Sequence, residues 1–536
     1  MTFTVVDFFC GAGGFSEGFH QAGFEIVKAF DIWNPAIVTH NRNHPSSKPI
    51  AEYGNVEEIA YMSDLEFEKT VPDSDVIIGS PPCVAFSNSN KSGKADKTHG
   101  IKLLKSYLRI IARKQFKKDS ILKYWVLENV TNIQKYIETK YKMSDLGLPG
   151  DDILEVKYKG SGVYEMQFFG VPSKRKRYIC GNFPVPQQIC DDNNFVALEK
   201  VLRSLGDPNE KVNKRVRDIN FNFSMVGKNL TDHHYIKEIA PFEWKKAKRQ
   251  KQDKGYMGRM SFPEDRTKPA RTIMATMSGS SRESFILPLG AERYRYPTIR
   301  EVATIMSFPI DYRFYGDSDA VKYKLVGNAV PPKFSYAIAQ AILNDSNVKV
   351  MLTKAKRKKF KVNDGFVNLN YKEYPLNIEK EKKVNAGYKY HVPYLKINTY
   401  RTELKNYFIN DEVMWITEIH KSQGEMMKVF RDLNDNLEFL SNESKLFIDH
   451  FVNQYTFLLQ TKTNLQINYR LTSQQRAEMN LVGPDELLND LKYLIKNYFK
   501  NLEGTKKFTI NEIDYDIPYK ILVCYIVLKR IINNLE

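Results

Sequence analysis

The strongest candidate for chemistry is Cys83, the last residue of the run Gly79-Ser80-Pro81-Pro82-Cys83. A cysteine is more often an inert small core residue, but this one follows the apolar stretch 75–78, which predicts a strand. A thiolate is an effective nucleophile when nearby cations lower its pKa. Such cations occur in the run 173–177, and a carboxylate, Glu128, ends another predicted strand. One nucleophile, one acid and one arginine cluster together predict a reaction centre.

A second candidate is the glycine-rich turn Gly11-Ala12-Gly13-Gly14, which follows the buried-strand pattern 3–9. Glycines let the backbone turn sharply and approach a ligand closely. The turn has no GxGxxG pattern, so it does not predict a phosphate site. Asp31 follows the second predicted strand, where an acid suits a ribose diol. Together they suggest an adenosyl cofactor, with an ordinary tight turn and a surface acid as the alternative.

The elements that position these residues are short apolar strands that alternate with helical patterns. The predicted strands are 3–9, 25–30, 75–78 and 124–127, and the predicted helices are 15–22 and 103–116. This alternation is typical of a parallel α/β sheet. The unusual residues follow the strands, at the edge where open α/β sheets place ligands.

The charge of the chain favours a polyanionic partner. Its 536 residues suggest about three domains, and 80 Lys and Arg against 63 Asp and Glu give a net charge of +17. Such an excess favours nucleic acid over membrane, although a Lys-rich surface of a soluble protein would also explain it.

The five cysteines are sparse and form no CxxC pair. This pattern argues against a disulfide framework or a structural zinc site, and we expect no metal and a reducing cytoplasm. No leader pattern precedes the first strand. The apolar stretch 521–532 is interrupted by Lys529 and Arg530 and is too short to span a bilayer, so no membrane is expected.

Five stretches resemble, in order and spacing, the motifs of the DNA (cytosine-5) methyltransferase family. They are Asp7 to Phe15, Gly79 to Cys83 with Phe86-Ser87, Glu128-Asn129-Val130, Phe169-Gly170-Val171-Pro172 with Arg175 and Arg177, and Gly327-Asn328-Ala329-Val330-Pro331-Pro332. The stretch 296–301, with Phe308-Pro309 after it, resembles the segment before the last motif. The resemblance covers residues 3–345.

The resemblance implies a Rossmann-like class I S-adenosylmethionine-dependent methyltransferase domain, and a mechanism. The target cytosine is flipped out of duplex DNA. Cys83 would attack carbon 6, Glu128 would donate to the ring nitrogen and the exocyclic amine, and Arg177 with Arg175 would position the base. The methyl group goes to carbon 5 and leaves S-adenosylhomocysteine.

The resemblance also implies which residues bind S-adenosylmethionine. They are Phe9, Gly11, Gly13, Gly14, Phe15, Asp31, Ile32, Asn55, Val56, Pro82, Asn328 and Ala329. Three positions depart from the family pattern. Ser173 and Val84 stand where glutamine is frequent, and Asn55 stands where an aspartate usually contacts the adenine amine. An amide oxygen can still accept that hydrogen bond.

We expect four regions. Residues 1–190 and 288–345 form the catalytic domain, and residues 191–287 form a smaller target-recognition domain that contains the basic run 244–249. A basic linker, 346–361, precedes a mostly helical C-terminal domain, 362–536, in which apolar residues from Leu487 to Phe499 repeat at helical spacing. The sequence predicts neither the DNA target nor the oligomeric state.

Three other interpretations remain at this point. A tRNA cytosine-5 methyltransferase shares the Pro-Pro-Cys motif but usually has threonine in the Phe86-Ser87 position. A non-catalytic homologue should have lost Cys83 or Glu128. A fused nuclease needs clustered carboxylates, of which Glu443-Ser444-Lys445 is only a fragment. By family analogy, the expected setting is a restriction–modification or phage-defence system, with a nucleoid-associated enzyme and a possible cognate endonuclease.

Overall fold

The computed structural model describes residues 2–44, 46–82, 97–210, 213–252, 259–346, 360–361, 363–384, 386–421, 427–433, 437–510 and 512–535. The chain forms two compact units. The first unit comprises Met1–Glu238, Pro263–Ser278 and Glu283–Pro375. The second unit comprises Ile239–Phe262, Gly279–Arg282 and Leu376–Glu536.

The first unit is built on a seven-stranded sheet with strand order β3-β2-β1-β4-β5-β9-β8. The first five strands in this order are parallel. The strand β9 pairs antiparallel with β5, and β8 pairs antiparallel with β9. The strands of this unit are β1 Thr4–Phe8, β2 Glu25–Asp31, β3 Ala51–Tyr53, β4 Val76–Gly79, β5 Tyr124–Asn129, β6 Lys140–Lys142, β7 Ile153–Glu155, β8 Gly162–Glu165, β9 Lys176–Cys180, β10 Arg215–Arg217, β11 Ser224–Val226, β12 Leu287–Gly290 and β13 Arg293–Arg295. The strands β6–β7, β10–β11 and β12–β13 form separate hairpins. This mostly parallel sheet confirms the predicted α/β fold.

Helices before β5 connect the parallel strands, and further helices follow β9. In chain order they are α1 Gly14–Gln21, α2 Asn34–Asn43, α3 Val56–Tyr61, α4 Asp64–Thr70, α5 Lys97–Gln115, α6 Leu198–Leu205, α7 Pro241–Gln252, α8 Ile299–Ile305, α9 Asp319–Asn328 and α10 Pro332–Ser346. Of these, α7 lies in the second unit. Single-turn 3-10 helices occupy Thr131–Lys135, Met143–Leu146, Met166–Phe169 and Gly227–Asn229.

The region that resembles the methyltransferase family covers residues 3–345, and its first helix, α1, packs against its last helix, α10. A Cβ on Gly14 would lie 2.3 Å from the carbonyl oxygen of Val330, and one on Gly18 would lie 2.3 Å from that of Pro332. Only glycine permits this approach. The last helix of the region therefore packs beside the helix that follows the glycine-rich turn.

The second unit combines helices with antiparallel strands. Its main sheet has the order β14-β15-β16-β17, and β18 and β19 form a hairpin. The strands are β14 Lys389–His391, β15 Tyr400–Ile409, β16 Glu412–Lys421, β17 Lys428–Phe430, β18 Thr505–Ile510 and β19 Ile513–Pro518. The helices after α7 are α11 Asn442–Leu459, α12 Lys462–Arg470, α13 Ser473–Glu478, α14 Pro484–Tyr498 and α15 Tyr519–Asn534.

The core of the second unit forms around α15, whose residues 521–528 are all buried. The apolar stripe of α14 joins the same core through Leu487, Leu491 and Ile495, as the helical spacing predicted. The mostly helical C-terminal region is thus present, with a sheet that the sequence did not predict. No helix in the described part of the chain has both the length and the apolar character of a membrane span.

Candidate active site

The acid of the predicted reaction centre lies at the end of β5. Glu128 is 5% exposed, and Arg177 on β9 places its Nε 3.1 Å from Glu128 Oε1. The next residue, Asn129, donates a hydrogen bond from Nδ2 to the carbonyl oxygen of Pro81 at 2.9 Å. This bond joins the strand that carries the acid to the Pro-Pro run before Cys83.

Cys83 itself lies outside the described residues, as do Val84, Phe86 and Ser87. Pro82 is the last described residue before it and is exposed. Cys10, the other cysteine in a predicted motif, is buried, and desolvation by burial raises the pKa of its thiol. A thiol held in its protonated form is a poor nucleophile, so this environment argues against Cys10 as the nucleophile.

Arg175 has a different environment from Arg177. It is buried, and its Nη1 donates to the carbonyl oxygen of Gly327 at 3.2 Å. Gly327 in turn approaches the backbone of Met274 and Ala275, where an added Cβ would lie 2.6 Å from the nearest atoms. Arg175 therefore connects the arginine cluster to the last motif, and a direct role for it in catalysis stays a prediction.

The serine that departs from the family pattern has a structural contact. Ser173 Oγ donates to the carbonyl oxygen of Arg271 at 3.2 Å, and Ser173 pairs with Ala270 in an isolated parallel bridge. This contact fastens the segment before β9 to residues 270–271.

The glycine-rich turn is held by Asp31. Its Oδ2 accepts from the backbone N–H of Gly11 at 2.9 Å, and its Oδ1 accepts from that of Trp33 at 2.8 Å. Desolvation by burial raises the pKa of Asp31, opposed by these backbone hydrogen bonds. Phe9 and Gly13 both have positive φ, 57° and 86°. The left-handed backbone at Phe9 is uncommon for a residue other than glycine, which is typical of a functional turn.

Buried polar residues also support the turn; Asp7 belongs to the first predicted motif, whereas Tyr312, Ser16 and His40 were not predicted. Tyr312 donates from its hydroxyl to the carbonyl oxygen of Ala12 at 2.6 Å. Ser16 donates to Asp7 Oδ2 at 2.6 Å, and its Oγ lies 3.1 Å from His40 Nε2. Burial raises the pKa of Asp7 to about 8, against the hydrogen bond from Ser16. The only sequence signal for this network was an acid inside an apolar strand.

The other predicted cofactor residues differ in exposure. Ile32 is 64% exposed beside Asp31, whereas Phe15, Val56 and Ala329 are buried. Asn328 ends α9 and is exposed.

Asn55 has its side chain in local contacts. Its Oδ1 accepts from the N–H of Glu57 at 3.1 Å and so caps α3, while its Nδ2 donates to Glu58. The oxygen expected to meet the adenine amine is thus already used in a helix cap.

The nuclease fragment 443–445 lies in the first turns of α11, where Glu443 is exposed. Among the residues that the structure describes, Glu443 belongs to no group of three potential metal ligands.

Comparison with known proteins gives consistent matches to the first two thirds of the chain. The family model C-5 cytosine-specific DNA methylase matches residues 3–344. The chain is 27% identical to a putative type II methyltransferase, M.MJ0563P, of Methanocaldococcus jannaschii, over 63% of this chain and 98% of that protein. It is 29% identical to the type II methyltransferase M.HgiDI of Herpetosiphon aurantiacus, over 64% of this chain and 96% of that protein.

Among solved structures, a putative DNA modification methyltransferase from an E. coli prophage matches with a TM-score of 0.41 and 20% identity, over 65% of this chain and 100% of that one. The Dnmt2 methyltransferase of S. pombe matches with a TM-score of 0.40 and 16% identity, over 65% of this chain and 100% of that one.

Proposed function

The chain belongs to the C-5 cytosine-specific DNA methylase family and is a DNA (cytosine-5-)-methyltransferase, and from that premise we propose how its residues carry out the reaction. Family membership implies S-adenosylmethionine as the cofactor. The nucleophile we propose is Cys83, with Glu128 as the acid and Arg177 as the residue that orients it.

The contact that carries this proposal is the hydrogen bond from Asn129 to the carbonyl oxygen of Pro81. Cys83 is the second residue after Pro81, and Asn129 directly follows Glu128. The bond therefore holds Pro81, shortly before Cys83 in the sequence, at the end of the strand that carries Glu128, and this supports the proposal.

In the proposed mechanism, the Cys83 thiolate attacks carbon 6 of a flipped cytosine, which raises the electron density at carbon 5. Glu128 holds a proton at the ring nitrogen and stabilises the negative charge that develops there. The Arg177 guanidinium fixes the Glu128 carboxylate at 3.1 Å. S-adenosylmethionine, when bound, supplies the methyl group for carbon 5. Loss of the carbon 5 proton then allows the Cys83 sulfur to leave.

The cofactor site that we propose combines the turn 9–14 with the end of β2. The Asp31 carboxylate keeps lone pairs for a ribose diol beyond its two backbone hydrogen bonds. Exposed Ile32 offers an apolar surface for a base ring. These features fit an adenosyl group, and Asn328 with Ala329 would close the site from the last motif.

We propose duplex DNA as the partner and a restriction–modification system as the setting. The net charge of +17 suits a polyanion, and the relatives above are type II methyltransferases. A cognate endonuclease for the same sequence, and a place on the nucleoid, would follow from that setting. Residues 191–287 remain our candidate for target recognition, although their helix α7 belongs to the second unit.

The direct experiment is to express the chain in a host without cytosine methylation and to sequence its DNA for 5-methylcytosine. We expect 5-methylcytosine at one short sequence. Purified protein should transfer methyl groups to duplex DNA and not to tRNA. Host DNA without 5-methylcytosine, or transfer to tRNA alone, would contradict the proposal.

A further inference from the structure

One face of the β14–β17 sheet in the second unit carries a buried group of potential metal ligands. Glu403 lies on β15, and Glu418 and His420 lie on β16. Glu403 and Glu418 are directly opposite in the antiparallel register, and His420 is two residues further along the same face. Their exposures are 5%, 1% and 1%. Two like charges opposite each other destabilise a sheet, so their burial calls for compensating positive charge.

The potential ligand atoms of the three side chains all lie within 4.8 Å of one another. His420 Nε2 lies 2.8 Å from Glu418 Oε2 and 3.2 Å from Glu403 Oε2. A cation about 2.1 Å from each ligand atom keeps neighbouring ligand atoms about 3.0–3.4 Å apart. Within the described part of the chain, no other group of three His, Cys, Asp or Glu residues brings its ligand atoms within 4.8 Å of one another.

One carboxylate oxygen of this group has no hydrogen-bond donor. Glu403 Oε1 accepts from Arg401 Nε at 2.6 Å, but buried Glu403 Oε2 accepts no hydrogen bond from any described residue. The shorter contact of His420 Nε2 is the one to Glu418. A buried oxygen without a partner costs free energy, and a bound cation would remove that cost.

The surroundings of the group suit a metal site. His420 Nδ1 lies 3.4 Å from Met427 Sδ, which can accept its proton and leave the Nε2 lone pair directed at the two carboxylates. Arg431 donates to Glu418 Oε1 at 2.6 Å and so holds the outer oxygen.

We propose that Glu403, Glu418 and His420 bind one divalent transition-metal ion through Glu403 Oε2, Glu418 Oε2 and His420 Nε2. One imidazole with two carboxylates suits Mn²⁺, Fe²⁺, Co²⁺ or Zn²⁺ better than Ca²⁺. The ion would tie β15 to β16 and stabilise the second unit. This site lies outside the methyltransferase motifs, and the inference does not depend on the proposed catalytic residues.

The test uses the full-length protein after removal of metal with a chelator. Mn²⁺ is titrated in, and its free concentration is read from its electron paramagnetic resonance signal. Mn²⁺ is the probe because it avoids thiolates such as that of Cys83. We expect one tight site per chain, with nitrogen coupling from one imidazole in the spin-echo spectrum. At a hundredfold excess over Kd, the unfolding midpoint of the second unit should rise by about 5–10 °C.

Single-residue variants then test which side chains bind the Mn²⁺ ion. E403Q and H420Q preserve side-chain size and should each abolish the tight site and the rise in the unfolding midpoint. E443Q, which removes an exposed carboxylate of α11 in the same unit, should bind Mn²⁺ as the unaltered protein does. Methyl transfer should persist in all three.

The proposal is overturned if the unaltered protein binds neither Mn²⁺ nor Zn²⁺ tightly, or if E403Q and H420Q bind as it does. Should both variants fail to fold, the stoichiometry and the nitrogen coupling of the unaltered protein decide. A bound ion without imidazole coupling would also contradict the assignment.

Discussion

The two units of this protein use buried charge in different ways. In the first unit, Glu128 is buried at the end of a parallel strand, beside a cation and next to the loop that leads to Cys83. In the second unit, Glu403 and Glu418 are buried in the middle of antiparallel strands, with arginines on their outer oxygens. The first arrangement places a carboxyl group at the edge of the sheet where we propose that the substrate binds, whereas the second fits a role within the sheet.

The same Glu→Gln substitution in each unit tests this difference most strongly. Glu128→Gln removes the proposed acid without changing its shape, and kcat for methyl transfer should fall on the order of 10²–10⁴-fold. Glu418→Gln should leave kcat unchanged. Tritium transfer from labelled S-adenosylmethionine to duplex DNA measures both. If the Glu128→Gln enzyme keeps the kcat of the unaltered protein, Glu128 is not the acid of the mechanism.

A second comparison concerns ion pairs that hold each unit together. Lys322 Nζ lies 2.8 Å from both carboxylate oxygens of Asp232, and both side chains are fully buried. Lys322→Met leaves that carboxylate buried without its partner and should destabilise the first unit by about 3–5 kcal/mol.

In the second unit, buried Arg476 pairs with Glu486 at 2.9 Å, but Glu486 is 36% exposed. Arg476→Met should therefore cost less, because water can solvate the remaining carboxylate. Urea unfolding of both variants checks this order, and a larger loss for Arg476→Met would contradict it.

The packing of α1 on α10 gives a smaller effect. Gly18→Ala places a methyl group against the backbone of Pro332, which cannot move aside as a flexible side chain can. We expect a loss of about 1–3 kcal/mol in the first unit and weaker binding of S-adenosylmethionine, measured by calorimetry. Gly162→Ala on β8, where an added Cβ meets no atom within 4 Å, is the control. Equal effects of the two changes would exclude the close approach as the cause.

The smallest effect, taken per pH unit, is a dependence of stability on pH. Burial raises the pKa of Asp7 to about 8, so the folded protein holds a proton there that the unfolded chain releases above its ordinary value of 3.8. The stability from this proton is full below the unfolded pKa and is lost as pH rises through 8, by at most about 1.4 kcal/mol per pH unit. Asp7→Asn should flatten this slope for the first unit in urea unfolding between these pH values. An unchanged slope would show that Asp7 is not the group responsible.

The fold of the first unit was predictable because its strands are apolar runs that end in polar residues. The predicted strand 3–9 is observed as Thr4–Phe8, and the predicted helix 103–116 overlaps α5, Lys97–Gln115. The sheet of the second unit was not predictable. In β15 the buried positions include Thr402, Glu403 and Asn406, so the strand lacks a clear apolar pattern.

The places of Asp31 and Glu128 at the ends of strands were predictable because each follows an apolar run, and their roles stay predictions. Contacts between segments distant in the sequence were not predictable. Examples are the hydrogen bonds from Tyr312 to the carbonyl oxygen of Ala12 and from Arg175 to that of Gly327. From the sequence we expected the protein to have no metal site, since it has no CxxC pair. The group that we now propose depends on the cross-strand register of Glu403 and Glu418, which composition does not reveal. The predicted domain boundaries stay predictions, and the two units divide the chain differently within 191–287 and near residue 375.

The central claim is that Cys83 forms a covalent bond to the target cytosine. Duplex DNA that carries 5-fluorocytosine at the methylated position tests it directly, because fluorine at carbon 5 cannot leave as a proton. With S-adenosylmethionine present, the protein should form an adduct that survives denaturing electrophoresis, and peptide mass spectrometry should place the DNA on Cys83. Cys83→Ala should form no adduct and transfer no methyl group, while it keeps the circular dichroism spectrum of the folded protein. An adduct on another residue, or methyl transfer by Cys83→Ala, would contradict the account.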